Sequence, residues 1–170
     1  MACDITIGRD RACKDGLGGN STLYLYNELA DAFTVLGGEA TAMNVLLTAA
    51  FAFPLEGDGN TLEQSMVSDR NTGTKVNTQT LTVMLKNMDA ATSAEFNLLA
   101  AGYPQAVVVD RNGNHHAIGL DDGIDFTVLA STGGAKTDMN GYTLTGVATT
   151  TDIAPLLDEA TITAFEGVVS

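Results

Sequence analysis

The sequence has no Trp, only 2 Cys, 3 Pro and 2 His, and 8 basic residues against 21 acidic ones. The shortage of Lys and Arg, with a formal charge of -13, excludes a protein that grips nucleic acid, because phosphate binding needs clustered cations. Cys3 and Cys13 stand ten residues apart with no His or further Cys nearby, which is not zinc-site spacing. They are expected to be reduced, partly buried thiols. The absence of Trp, with only 4 Tyr and 6 Phe, weakens a lectin-like reading, which relies on aromatic platforms. The amino terminus lacks the apolar stretch of a secretory signal. The longest mostly apolar region, Val45 to Leu55, is broken by Thr48 and Pro54 and is far shorter than the roughly 20 residues that span a bilayer. The expectation is a soluble protein made in a cytoplasm, with no membrane anchor.

What the chain does have is enough apolar material for one core: 45% of its 170 residues are hydrophobic, and domains commonly run roughly 100 to 150 residues. Only 17% are charged. The surface must then be covered by Thr, Ser, Asn and Gly, or by other subunits, which brings self-association into view.

Residues 1 to 20, Gly-rich at their end and carrying Arg9, Arg11 and Lys14, read as an extended arm. Thr22 to Tyr26 alternates as a strand does, and Ala32 to Leu36 is a second short candidate. Met43 to Leu55 reads as a strand entering a hairpin at Pro54 to Asn60, with Thr61 to Ser68 returning. After a turn at Arg70 to Gly73, Thr74 to Lys86 carries the period-two pattern of a half-buried strand. Residues 50 to 87 are thus expected to form one long polar hairpin.

A single helix is predicted over 90 to 101, with Asp89 as N-cap, Thr92 and Glu95 at capping-box spacing, and Gly102 as a left-handed stop before Pro104. Gln105 to Asp110 and His115 to Leu120 flank an Asn-Gly turn, the strongest short hairpin signal. Alternation resumes over Ile124 to Ser131 and Tyr142 to Val147. The carboxyl terminus reads as a helical turn at Pro155 to Glu159 followed by a strand at Thr161 to Phe165. Many short strands with one helix between two groups of them predict a mainly β fold, a sandwich or barrel of antiparallel strands with one flanking α-helix.

Nucleophilic catalysis needs a base beside the nucleophile, and the only histidines, His115 and His116, are adjacent in a strand and point to opposite faces. Both are expected to be structural and exposed beside the hairpin turn. Asp110, Asn112 and Asn114 begin like a calcium loop, but His115 occupies the position where the bend needs Gly. Asp121, Asp122 and Asp125 are better explained as turn formers. Gly16-Leu17-Gly18-Gly19 lacks the Lys-Ser/Thr and the helix of a phosphate loop. No catalytic residue, metal or cofactor is expected.

Three passages carry a family resemblance: MACDITIGRDRACKDGLGG at 1 to 19; the helix at 90 to 101 with the hairpin VVVDRNGNHHAIG at 107 to 119; and TGGAKTDMNGYTLT at 132 to 145. Together they resemble the tail tube (major tail) proteins of long-tailed bacteriophages. The resemblance implies a structural virion protein whose sheets join edge to edge around a six-fold ring, rings stacking into a tube for genome passage. Its partners would be itself and the terminator, tape measure and baseplate or tip proteins of the tail, with DNA as repelled cargo; assembly would occur in the bacterial host cytoplasm. Glu56, Glu63, Asp69, Asp121, Asp122 and Asp125 are then candidates for acids facing the lumen. Asp58, Asn60, Arg70, Asn71 and Lys75 are candidates for inter-ring contact along the long hairpin. The alternatives are a capsid decoration or head-fibre subunit or an injection-system tube, and, further off, a binding module or an enzyme.

Overall fold

The computed structural model describes residues 3 to 170. Its strands are β1 (Asn20–Tyr26), β2 (Phe33–Leu36), β3 (Glu39–Met43), β4 (Phe51–Pro54), β5 (Thr61–Asp69), β6 (Thr74–Lys86), β7 (Gln105–Asp110), β8 (His115–Ile118), β9 (Asp125–Ser131), β10 (Gly141–Thr150) and β11 (Leu156–Leu157); its helices are α1 (Ala90–Ala101) and α2 (Glu159–Glu166). The strands make a seven-stranded sheet, β2-β3-β11-β8-β7-β1-β4, and a four-stranded sheet, β5-β6-β10-β9. The fold is mainly β and sandwich-like with a flanking helix, as the alternation predicts.

Period two along β1 divides the core in two. Leu23 and Leu25 face the four-stranded sheet, where they join Val108, Ile118, Leu81, Val83, Phe126 and Leu144. Tyr24 and Tyr26 face the other way and pack with Phe33, Val107, Ala117 and Phe165. The seven-stranded sheet is therefore buried on both sides, which accounts for the unbroken apolar run Ala106 to Val109 in β7.

α1 starts where Asp89 accepts a hydrogen bond from the Thr92 backbone N–H at 2.7 Å, relieving one of the orphan donors of the first turn. Thr92 Oγ1 donates to the same carboxylate, so Thr92 serves the Asp89 cap and the predicted pairing with Glu95 is not the one in use. Gly102 closes the helix with φ -108° and its N–H on the Leu98 carbonyl, an extended exit and not the left-handed stop expected. Inside, Phe96 meets Tyr142 edge to face at 4.9 Å and Phe53 at 6.1 Å.

Three expectations are overturned. β4 does not enter a hairpin with β5: it pairs antiparallel with β1, Leu25 opposite Phe51, and the chain crosses from one sheet to the other through 55 to 60. The true hairpin is β5–β6, paired from Thr61↔Thr82 to Asp69↔Thr74. Residues 44 to 50, expected to be strand, form a loop tied to the carboxyl terminus, where the Ser170 N–H donates to the Ala50 carbonyl at 2.8 Å. The carboxyl-terminal order is reversed, with strand β11 at Leu156–Leu157 and then a second helix, α2. Asp158 caps α2 by accepting from the Thr161 N–H at 2.7 Å, and the helix drives Phe165 into the aromatic side of the core. Those two gains outweigh the β preference of Thr161, Ile162 and Thr163.

Gly123 is a position only glycine can hold: its φ is +78°, and a Cβ there would lie 2.4 Å from the Tyr103 carbonyl oxygen. That contact locks the turn before β9 against the segment leaving α1.

Candidate assembly interface

The four-stranded sheet turns one face to the core and leaves the other uncovered. On that outer face the register aligns Thr61, Thr82, Thr145 and Thr127 in one row across all four strands. The next row is Glu63, Thr80, Val147 and Asp125. Ser65, Thr78 and Thr149 follow. The surface alternates hydroxylated side chains with the apolar Val67, Val76, Met84, Leu129 and Val147, and it carries charge only at its margins. β5 and β9 end the sheet, and among the described residues neither has a second strand neighbour. Such edges carry unpaired backbone N–H and C=O groups, a template for pairing with another chain.

The candidate lumen acids divide by this geometry. Glu63 and Asp125 sit in one row at opposite edges, and Asp69 shares their face at the far end of β5, where its Oδ1 accepts from the Asn71 N–H at 2.7 Å. Glu56 is at the sheet crossing, 3.6 Å from Lys86 Nζ. Asp121 accepts from the Thr151 N–H at 3.2 Å and borders a cavity of about 720 Å³ that also touches Gln79 and Asp152; Asp122 is exposed in the same turn. The six acids therefore do not form one surface.

The inter-ring candidates divide too. Arg70 and Asn71 are exposed at the β5–β6 tip, and Lys75 pairs nearby with Asp152 at 2.6 Å. Asp58 lies at the opposite end of β5, 3.5 Å from Arg111, and Asn60 beside it is buried. Asn60 is a structural joint: its Oδ1 accepts from the Met84 N–H at 2.8 Å, its Nδ2 donates to the Glu56 carbonyl at 3.3 Å, and its own carbonyl accepts from the Asn20 N–H at 3.2 Å. Its side chain is buried and spent on contacts within the chain.

The arm is held at its carboxyl-terminal end, where the Gly19 carbonyl accepts from the Arg111 N–H at 3.1 Å. Asn112, in the β7–β8 turn, accepts from the Leu17 N–H and donates to the Leu17 carbonyl, both at 2.8 Å. The next residue towards the crossing, Arg111, donates to the Gly57 carbonyl at 2.6 Å. Residues 3 to 19 are otherwise exposed, including Cys3 and Cys13, so the expectation of partly buried thiols fails. With nothing packed on residues 3 to 16, those thiols have no cover.

Asp110 organises the β7–β8 turn. Its carboxylate accepts from the N–H groups of Asn112 at 2.8 Å and Asn114 at 2.9 Å and from Asn114 Nδ2 at 3.0 Å, and it lies 3.2 Å from His116 Nε2. Burial pushes its pKa up, but the hydrogen bonds from Asn114, His116 and Asn112 outweigh that and hold it below the usual carboxylate range. The oxygens that a calcium loop would offer to an ion are spent on the turn's own donors. His115 and His116 do face opposite ways, but His115 is buried, 3.9 Å from Glu166 of α2, because β8 lies inside the seven-stranded sheet. No cluster of three or more His, Cys, Asp or Glu able to hold a metal occurs among the described residues, and no described helix is long and apolar enough to cross a membrane.

A second opening lies between β4 and α1. Its walls are Leu25, Phe51, Phe53, Phe96, Leu98 and Tyr103, its volume is about 580 Å³, and Glu28 and Glu95 stand at its rim. Sequence reasoning did not find this groove, because it depends on β4 pairing with β1 and on where α1 comes to rest.

The chain matches no protein-family model, no curated protein and no solved structure.

Proposed function

We propose that this chain is the subunit of a self-assembling tube, the tail tube of a long-tailed bacteriophage, in which four-stranded sheets of adjacent copies join edge to edge and their hydroxylated faces line the bore. The observation that supports this most directly is the uncovered face of β5-β6-β10-β9 between two unpaired edges. A free monomer with such edges invites aggregation, and closure into a ring removes them. Six copies with four strands each, at the usual strand spacing and a barrel tilt near 40°, would close at about 48 Å between backbones, leaving roughly 35 to 40 Å clear inside the side chains.

The chemistry of the face agrees with a conduit. Outward positions of these strands are Thr and Ser interspersed with Val67, Val76, Met84, Leu129 and Val147, their acids are Glu63, Asp69 and Asp125, and their one base, Lys86, lies 3.6 Å from Glu56. A DNA phosphate passing such a wall meets no counter-charge to hold it, so the polymer slides. In this reading the subunit belongs to the virion tail, assembles in the host cytoplasm, and meets the terminator, tape measure and baseplate or tip proteins at the ends of the tube. Electron microscopy of the purified protein tests it: hollow rods or rings are expected, and a 17.6 kDa monomer at every concentration would sink the proposal.

A further inference from the structure

We infer that residues 3 to 11 of one copy lie along the unpaired edge of β2 in a second copy, with Ile5 and Ile7 in the cavity beside that strand and Arg9 and Arg11 among the carboxylates that border it. This goes beyond the tube reading, which uses β5 and β9, and stands without it.

β2 ends the seven-stranded sheet, and its hydrogen bonds fix which way its backbone faces. The Ala32 carbonyl accepts from the Asn44 N–H at 2.9 Å and the Thr34 carbonyl from Thr41 Oγ1 at 3.4 Å, so residues 32 and 34 turn towards the β3 side. Alternation then points the N–H and C=O groups of Phe33 and Val35 outward, and among the described residues no other segment bonds to them. The same two residues wall the cavity of about 720 Å³, together with Met66, Leu120 and Ile153. Val35, Met66 and Ile153 are exposed, so this apolar wall is left open by the chain's own packing. Asp31, Asp121 and Asp152 border it; Lys75 holds Asp152, whereas among the described residues Asp31 and Asp121 have no basic partner.

The arm is the complement. In an extended chain alternate residues share a face. The odd positions place Ile5 and Ile7 together, followed by Arg9 and Arg11, so one face is apolar and then cationic. Ile5 is 96% exposed and Ile7 84%, so the chain's own body does not cover them. The occupant is a second copy of this chain: with Arg9, Arg11 and Lys14 the arm holds three of the eight basic residues of a strongly acidic protein. Leu17 is anchored to Asn112, and the twelve residues from there back to Ile5 reach about 40 Å when extended, enough to cross to a neighbour. A strand as short as β2 offers few main-chain bonds, so the two isoleucines and the charge pairing supply most of the affinity, the latter weakening with salt.

The test uses full-length chains and the native thiol of the arm. One chain carries Ile153→Cys with Cys3→Ser and Cys13→Ser; the other carries only Cys13→Ser and a size tag. Mild oxidation of the mixture is expected to give a disulfide-linked heterodimer, at least tenfold more than when Leu98→Cys, exposed on α1, replaces Ile153→Cys as the acceptor. Ile5→Asp with Ile7→Asp in the tagged chain should cut the yield at least tenfold while leaving thermal unfolding of the body unchanged. Asp31→Asn with Asp121→Asn should lower it several-fold at low salt and little at high salt; asparagine tolerates the φ of 53° at position 31 and still accepts from the Thr151 N–H. Absence of the heterodimer, equal yields from the two acceptors, indifference to the isoleucine changes, or a chain with both Cys3 and Ile153→Cys that closes on itself instead of linking to another would each overturn the inference. Tubes that form normally without the cross-link would refute arm docking and leave the tube reading standing; a cross-link between chains that never form tubes would do the reverse.

Discussion

Phe165→Ala measures how firmly α2 closes the aromatic side of the core. Phe165 is fully buried and meets Tyr24 at 5.4 Å and Tyr26 at 6.1 Å edge to face, and the tilted ring of Phe33 at 6.0 Å. Truncating a buried Phe to Ala costs about 3 to 5 kcal/mol, and a site whose neighbours are rings held by two sheet strands cannot collapse readily into the space. The expected loss is about 4 kcal/mol, a large share of the 5 to 15 kcal/mol that stabilises most domains. For a chain of this length that corresponds to a fall in Tm of about 12 °C, at roughly 3 °C per kcal/mol. Phe165→Leu, which fills most of the volume, should lose only about 1.5 kcal/mol. Urea denaturation followed by circular dichroism reads both. A loss below about 1 kcal/mol for Phe165→Ala with an unchanged m-value would mean that α2 is not docked as described, and the two-sided burial of β1 would have to be abandoned.

Two further substitutions test the turns that frame the proposed interface. Asp110→Asn should cost about 2 kcal/mol near neutral pH, because two backbone N–H groups and the Asn114 amide lose a charged acceptor. Since the folded-state pKa of Asp110 is lowered, its contribution is present above the ordinary carboxylate range and is lost as pH falls through the folded value; the gap between wild type and variant in urea midpoint should therefore narrow on acidification, and a constant gap would contradict the assignment. Gly123→Ala should cost about 3 kcal/mol, combining a left-handed backbone with a clash on the Tyr103 carbonyl; an unchanged Tm would show that the turn before β9 is not built this way.

Local signals were read well where one segment carries its own answer. The alternation in Thr74 to Lys86, the Asn-Gly turn between β7 and β8 and the Asp89 cap each specify structure within a few residues. What escaped depends on distant partners. Phe51–Pro54 is too short to declare whether it joins Thr61 or Leu25, and the choice is made by Phe53 packing on Phe96 of α1. Glu39–Met43 has no alternation to betray it, because β3 owes its existence to β2 on one side and a parallel contact with Leu156–Leu157 on the other. The Thr161 to Phe165 run is written in β-branched residues and folds as helix because Phe165 has an aromatic pocket to fill. For the candidate interface, the pairing of β5 with β6 puts Glu63 and Asp69 on one face, and the scattering of Glu56, Asp58, Asn60 and Asp121 follows from the crossing between sheets, which no single segment encodes.

The paired hydrogen bonds between Leu17 and Asn112 give the arm a fixed point of departure. A tether of known origin and limited length confines its free end to a small volume, so that once two copies touch anywhere else, the arm of one is presented to the other at an effective concentration in the millimolar range. In the tube we propose, weak contacts would then reinforce one another, making assembly slow to start, steep once started, and hard to undo one subunit at a time.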